Sequence, residues 1–250
     1  MRTVILDIET IPDREAIRRC HHVDDGSFLP LPLHALACAS MLIVDRVSYK
    51  ETRFRIVSHS RGMNSERGIV SSVERELESA QMLLTFNGRA FDIPVLAVRA
   101  ALTGEIAPTI MGIHVHSRSP VGKHSDLLQG ITQFGGAPKF SLNAFCAALS
   151  IPCKIEKDGK RVAQLVAEED WPALSNYCER DVVATYLAAK HWEGAQYGQP
   201  EAVLEAWAGL AGWIQSDQPA LEHLLPFANP PRMHGGGDVL GDADFLEINW

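Results

Sequence analysis

Cysteine is scarce and unpatterned in this chain: Cys20, Cys38, Cys146, Cys153 and Cys178 are the five, with no CxxC pair among them. An odd count without motif spacing argues against a disulfide-stapled scaffold and fits reduced thiols in a soluble, unexported cytoplasmic protein. Cys20-His21-His22 with His34 has zinc-ligand residue types, but adjacent histidines lack the usual ligand spacing, and a polar loop explains them. No apolar run reaches the roughly 20 residues of a membrane span, and no apolar stretch precedes a cleavage site, so no membrane partner is expected. Positive charge is also short: 23 Lys and Arg against 31 Asp and Glu leave a net charge of −8. That argues against broad wrapping of duplex DNA, whose non-specific affinity comes from neutralised phosphates, but a local groove for a short single strand stays open. There is no internal repeat, and 250 residues that are 46% apolar suffice for one sizeable α/β core plus a peripheral segment.

What the chain does have is carboxylates at the ends of apolar runs. Val4-Ile5-Leu6 marks a buried strand, and Asp7 and Glu9 follow it two residues apart. Strand side chains alternate, so both acids face one side. Two like charges about 4 Å apart repel by roughly 4 kcal/mol at an effective dielectric of about 20, so such a pair needs a proton or a cation. Hard oxygen ligands select Mg²⁺ or Mn²⁺. The alternative is a solvated pair on an edge strand. A second strand pattern, Met82-Leu83-Leu84-Thr85-Phe86, breaks at Asn87-Gly88, and Ile93, Leu96, Ala97, Ala100 and Ala101 then repeat at helical spacing. Asp92 thus stands at a helix start, where a carboxylate can simply cap backbone N–H groups. A third pattern predicts a helix from about Trp171 to Trp192, with Tyr177 and Asp181 four apart on one face that also carries apolar residues. An acid turned toward the interior is costly unless something compensates it.

In order and spacing, Asp-x-Glu on an N-terminal strand, an acid after the next Asn-Gly turn and Tyr-x-x-x-Asp on a late helix resemble the DEDD exonucleases, in the branch with a tyrosine. More narrowly, Asp7-Ile8-Glu9-Thr10-Ile11-Pro12-Asp13, Phe86-Asn87-Gly88-Arg89-Ala90-Phe91-Asp92-Ile93-Pro94 and Tyr177-Cys178-Glu179-Arg180-Asp181-Val182 resemble the stand-alone proteins related to the proofreading domain of family B DNA polymerases. His124-Ser125-Asp126-Leu127 and Lys139-Phe140-Ser141-Leu142-Asn143-Ala144-Phe145 are similar to the segment that such exonucleases place beside the substrate channel. The resemblance implies a ribonuclease H-like three-layer α/β/α fold with a central mixed five-stranded sheet over residues 1–195. It implies a two-metal-ion 3′-5′ exonuclease acting on single-stranded nucleic acid, DNA ahead of RNA, with two Mg²⁺ or Mn²⁺ ions. Asp7, Glu9, Asp92 and Asp181 would be the metal ligands, with Asp7 bridging, and Tyr177 would orient the attacking water. Thr10, Ile11, Asn87, Phe91, Lys139 and Asn143 would meet the substrate. Asp126 is either an added acid of the site or part of a surface turn, and Ser141 reads as the N-cap of a helix from Leu142 to Leu149. The partner is a single strand with a free 3′ end, and a polymerase or repair protein would act in trans. A ribonuclease D-like RNA trimming enzyme and a noncatalytic nucleic-acid binding module on the same scaffold are the rivals.

Around these motifs the sequence predicts strands near Ala37–Asp45 and Lys50–Val57, a helix from Val70 to Ala80, and a surface turn at Asp158-Gly159 in the basic stretch Lys154 to Arg161. Arg18, Arg19, Arg89, Lys123, Lys139 and Lys154 are candidate groove cations. Residues 196–250 form a C-terminal helix, Ala202 to Ile214, and a loop-rich tail from Gln215 that is packed on or extends from the domain.

Overall fold

An apolar run without polar alternation needs cover on both faces, and β1 (Arg2–Pro12) has it: Val4, Ile5 and Leu6 are all buried. The computed structural model describes residues 1–23, 27–48, 51–116, 123–152, 158–217 and 219–230. After β1 come α1 (Arg14–Arg19), β2 (His34–Arg46), β3 (Thr52–Ser60), α2 (Glu66–Glu78), β4 (Met82–Thr85), α3 (Asp92–Thr103) and α4 (Pro108–Val115). The order continues with β5 (His124–Asp126), α5 (Leu127–Ile131), α6 (Leu142–Ala148), α7 (Asp158–Ala167), α8 (Trp171–Tyr197) and α9 (Pro200–Ser216).

The five strands make one mixed sheet in the order β3-β2-β1-β4-β5, as the ribonuclease H-like expectation requires. β1 is therefore central, which disposes of the edge-strand alternative for Asp7 and Glu9. It runs antiparallel to β2 and parallel to β4. Alternate residues serve opposite layers. Ile5 packs with Val182, Val183 and Leu187 of α8 and with Trp207 and Leu210 of α9. Val4, Leu6 and Ile8 pack on the other face with Ile69 and Val73 of α2 and Ile93 and Leu96 of α3.

Pairing with β4 covers only Thr3, Val4 and Ile5, so the rest of β1 overruns its neighbour at the C-terminal end of the parallel strands. Clefts of α/β sheets form at such ends. Opposite, a register shift lies between Glu9 and Thr10, where the partners jump from Cys38 to Leu36. The skipped Ala37 is a bulge that turns Leu36 to the α3 layer while Cys38 stays in the α8 layer.

Several boundaries differ from those read in the sequence. α2 starts at Glu66, not Val70, because the Ser65 hydroxyl accepts the Gly68 N–H at 3.1 Å and caps an earlier turn. α8 continues to Tyr197 and ends at Gly198, whose φ of 65° suits a left-handed cap. Asp158-Gly159 begins α7 instead of forming a turn. Past α9, the expected loop contains a 3₁₀ turn, Glu222–Ala228, whose Leu224 and Phe227 are buried. The tail acids Asp238 to Glu247, and Lys154, lie outside the described residues. No helix among the described residues is long and apolar enough to cross a membrane.

Candidate active site

The strand parity that sends Ile5 to the α8 layer sends Asp7 and Glu9 there too. α8 meets them with Asp181, and carboxylate oxygens of the three lie within 4.8 Å of one another. All three residues are half-buried. Three carboxylates this close repel strongly, and an all-oxygen set of this kind could hold a hard divalent cation. Beneath them sits Cys178, which the sequence reading left unassigned. Its thiol donates to the Asp7 carbonyl at 3.4 Å and the Asp7 carboxylate at 3.3 Å. Burial, first, and then Cys38 and the acids push this thiol well above its ordinary pKa, so at neutral pH it is a proton donor fixing Asp7.

Asp92 stands outside that trio. It is the first residue of α3, 5% exposed, and its Oδ1 accepts the Ile8 N–H at 3.2 Å. It thereby fills the edge of β1 that β4 leaves unpaired. Capping alone does not account for it, because the N-cap is Phe91 and the Asp92 carboxylate reaches across to β1. Burial drives its pKa up to about 7, and the charges of Asp126 and Asp181 push the same way against the hydrogen bonds from its own N–H and that of Ile8. An acid that titrates near neutrality in a cleft of acids is a recognisable mark of a functional site.

The turn that carries Asp92 is held by Asp126. That residue is buried, not part of a surface turn: it accepts from Asn87 N–H at 3.0 Å, Arg89 N–H at 2.8 Å and, as N-cap of α5, Gln129 N–H at 3.1 Å. Its oxygens are thus engaged in fixing the turn. Asn87 has φ of 66°, and a side chain on Gly88 would put its Cβ 2.5 Å from Thr85, so the turn demands the Asn-Gly pair. The Asn87 Oδ1 is buried with no hydrogen-bond partner among the described residues. Arg89, expected as a groove cation, donates to the His124 carbonyl and lies 5.7 Å from the Phe134 ring.

Tyr177 lies one helical turn before Asp181, half-buried against the cluster of Ala37, Cys38, Leu174 and Cys178. Thr10 hydrogen-bonds His34 Nδ1 at 2.9 Å, and His34 Nε2 lies 2.9 Å from the Leu29 carbonyl. The carbonyl can only accept, so Nε2 carries the hydrogen and the Thr10 hydroxyl donates to Nδ1 of a neutral ring, whose pKa burial lowers. His34 is therefore a structural ring, and among the described residues it forms no ligand group with Cys20, His21 and His22. Around it Phe28 stacks obliquely at 5.2 Å and Phe91 packs edge-on at 5.0 Å. Phe28 remains 72% exposed. Asn143 of α6 lines a hollow with Arg180 and Asp181, whereas Lys139 is exposed and does not line it. Ser141 caps α6 as expected, accepting the Ala144 N–H at 3.1 Å. Arg18 and Arg19 are exposed on α1, and Lys123 is exposed ahead of β5.

A family model described as a predicted 3′-5′ exonuclease related to the exonuclease domain of PolB matches residues 26–195. The chain belongs to this family. No curated protein matches the sequence of this PolB-related exonuclease family member. Among solved structures, the family B DNA polymerase from the hyperthermophilic archaeon Pyrobaculum calidifontis shares its fold over 92% of the chain, with a TM-score of 0.54 and 16% identity. The chain spans 27% of that polymerase chain. In this family member the three acids that meet at the site were readable from strand parity and the i,i+4 rule. Phe28 and Cys178 were not singled out, and His34 was weighed only as a zinc ligand alongside Cys20, His21 and His22.

Proposed function

We propose that the chain is a two-metal-ion 3′-5′ exonuclease that trims single-stranded nucleic acid, DNA ahead of RNA, and releases nucleoside 5′-monophosphates. The observation that carries this reading is the meeting of Asp7 and Glu9 from β1 with Asp181 from α8 within 4.8 Å. The donors are all hard oxygens, which fit Mg²⁺ or Mn²⁺. Asp7, Glu9 and Asp181 would hold one ion, and Asp92, close enough to feel the charge of Asp181, would help to hold a second. Bound there, the ions supply a hydroxide nucleophile near neutral pH and neutralise charge on the departing 3′ oxygen.

The chain's own residues do the positioning. The Tyr177 hydroxyl holds the attacking water beside the phosphate. Thr10, Ile11, Asn87 and Phe91 receive the terminal nucleotide, and the open face of Phe28 extends that surface. A ring accepts any base, which suits trimming without sequence preference. Lys139 and Asn143 meet the strand further back. Kinship with the exonuclease domain of PolB supports reading DNA ahead of RNA, and a polymerase or repair protein would cooperate in trans. The thiols of Cys20, Cys38, Cys146 and Cys178, none of them in a disulfide, suit a reducing compartment, the cytoplasm.

The test is to incubate 5′-labelled single-stranded DNA and RNA with the protein in Mg²⁺, Mn²⁺ or EDTA, with Asp7→Ala alongside. A metal-dependent ladder shortening from the 3′ end, absent in the variant, is the expected result. Equal activity in Asp7→Ala would refute the site, and binding without cleavage would point to a noncatalytic module.

A further inference from the structure

The hollow beside Asp181 is closed by chain that lies beyond the family match. Pro226 and Phe227 of the Glu222–Ala228 turn line it together with Asn143, Arg180 and Asp181. Leu224 and Phe227 anchor the turn in the α8–α9 core. Its polar anchor is His223, whose Nε2 lies 2.6 Å from the buried Glu179 carboxylate, and the other Glu179 oxygen accepts from the Ser58 hydroxyl at 2.6 Å. The same residue's carbonyl accepts from Arg180 Nε at 3.2 Å.

Arg180 is thus exposed yet tethered. Its Nε is engaged by a carbonyl, which leaves four terminal N–H donors on a residue that lines the hollow next along the chain to Asp181. Among the described residues no carboxylate forms an ion pair with it, unlike Arg2, Arg19, Arg53, Arg55, Arg61, Arg67 and Arg99. A planar guanidinium left unpaired in a protein of net charge −8, beside an acidic site, is matched to a phosphate.

We propose that Arg180, held by the Glu222–Ala228 turn, binds the backbone phosphate adjoining the one to be cleaved, and that this turn is the wall of the strand channel on that side. The proposal rests on the exonuclease reading for its ligand, a single strand of nucleic acid. Arg180 is a substrate-binding residue, and His223 is a positioning residue that acts through it.

The experiment measures anisotropy of a short 5′-labelled oligothymidylate with the full-length protein in EDTA across a KCl series. One phosphate contact on a single strand contributes about 0.7 to the slope of log affinity against log salt. Arg180→Gln should lower the slope by about that amount, and Arg180→Lys should restore it. His223→Ala, which loosens the turn but keeps the charge, should weaken binding with the slope unchanged. An unaltered slope in Arg180→Gln overturns the proposal, as does a wild-type protein that does not bind. Cleavage in Mg²⁺ is scored in parallel, so a wild type that binds with the expected slope but never cleaves sinks the exonuclease reading and leaves the phosphate contact standing.

Discussion

Replacing Asp92 with Asn removes one titration while keeping the oxygen that accepts the Ile8 N–H. Burial raises the pKa of Asp92 from 3.8 to about 7 in the folded protein. Between those values the native state holds a proton that the unfolded chain has released. The native state therefore binds more protons, and stability falls as pH rises through this window. Three pH units at about 1.36 kcal/mol each set a ceiling of about 4 kcal/mol, of which about 3 kcal/mol falls between about pH 5 and about pH 8. Urea denaturation in EDTA at the two pH values should show that loss in the wild type and its absence in Asp92→Asn, which is then the more stable protein at the higher pH. Saturating Mg²⁺ should recover part of the loss in the wild type, because a cation at the site favours the ionised carboxylate. Parallel pH dependence in the two proteins would refute the argument that the buried Asp92 carries this proton.

Tyr177→Phe should lower the rate of 3′ hydrolysis while Mn²⁺ titration calorimetry shows metal affinity retained, since the ring stays and only the hydroxyl goes. Phe28→Ala should raise KM roughly 5- to 30-fold through lost base stacking of about 1–2 kcal/mol, and Phe28→Trp should restore it, both read from initial rates on single-stranded DNA. Asp126→Ala strands three backbone N–H groups and should cost about 3 kcal/mol of unfolding free energy, measured by urea denaturation, with loss of activity as the Asn87–Asp92 turn shifts.

The central strand and the acids it carries were legible because their signals are local. Val4-Ile5-Leu6 announces a strand covered on both faces, period two puts Asp7 and Glu9 together, and period 3.6 puts Tyr177 with Asp181. What sequence could not supply is contact between distant segments. Asp126 looked like a turn residue because the N–H groups it serves at Asn87 and Arg89 lie 39 and 37 positions away. Glu179 meets His223 44 positions later, and nothing in either neighbourhood signals the pairing. The turn at Glu222–Ala228 was read as loop because Pro226 breaks helical periodicity, although Leu224 and Phe227 are buried by the long-range packing of α8 and α9. Asp92 at a helix start invited the capping explanation, and only the shortness of β4 shows why the carboxylate turns to β1 instead.

β1 threads two incompatible environments on alternate residues, oil on one side and acid on the other. A single residue inserted or deleted between Val4 and Asp7 would rotate Asp7 and Glu9 into the apolar layer of Ile69 and Leu96 and turn Leu6 and Ile8 out toward Asp181. No rotamer change can repair that inversion, whereas the bulge at Ala37 shows that β2 absorbs an extra residue without disturbing the acids. A library of single-codon insertions should therefore lose function across the Val4–Asp7 stretch of β1.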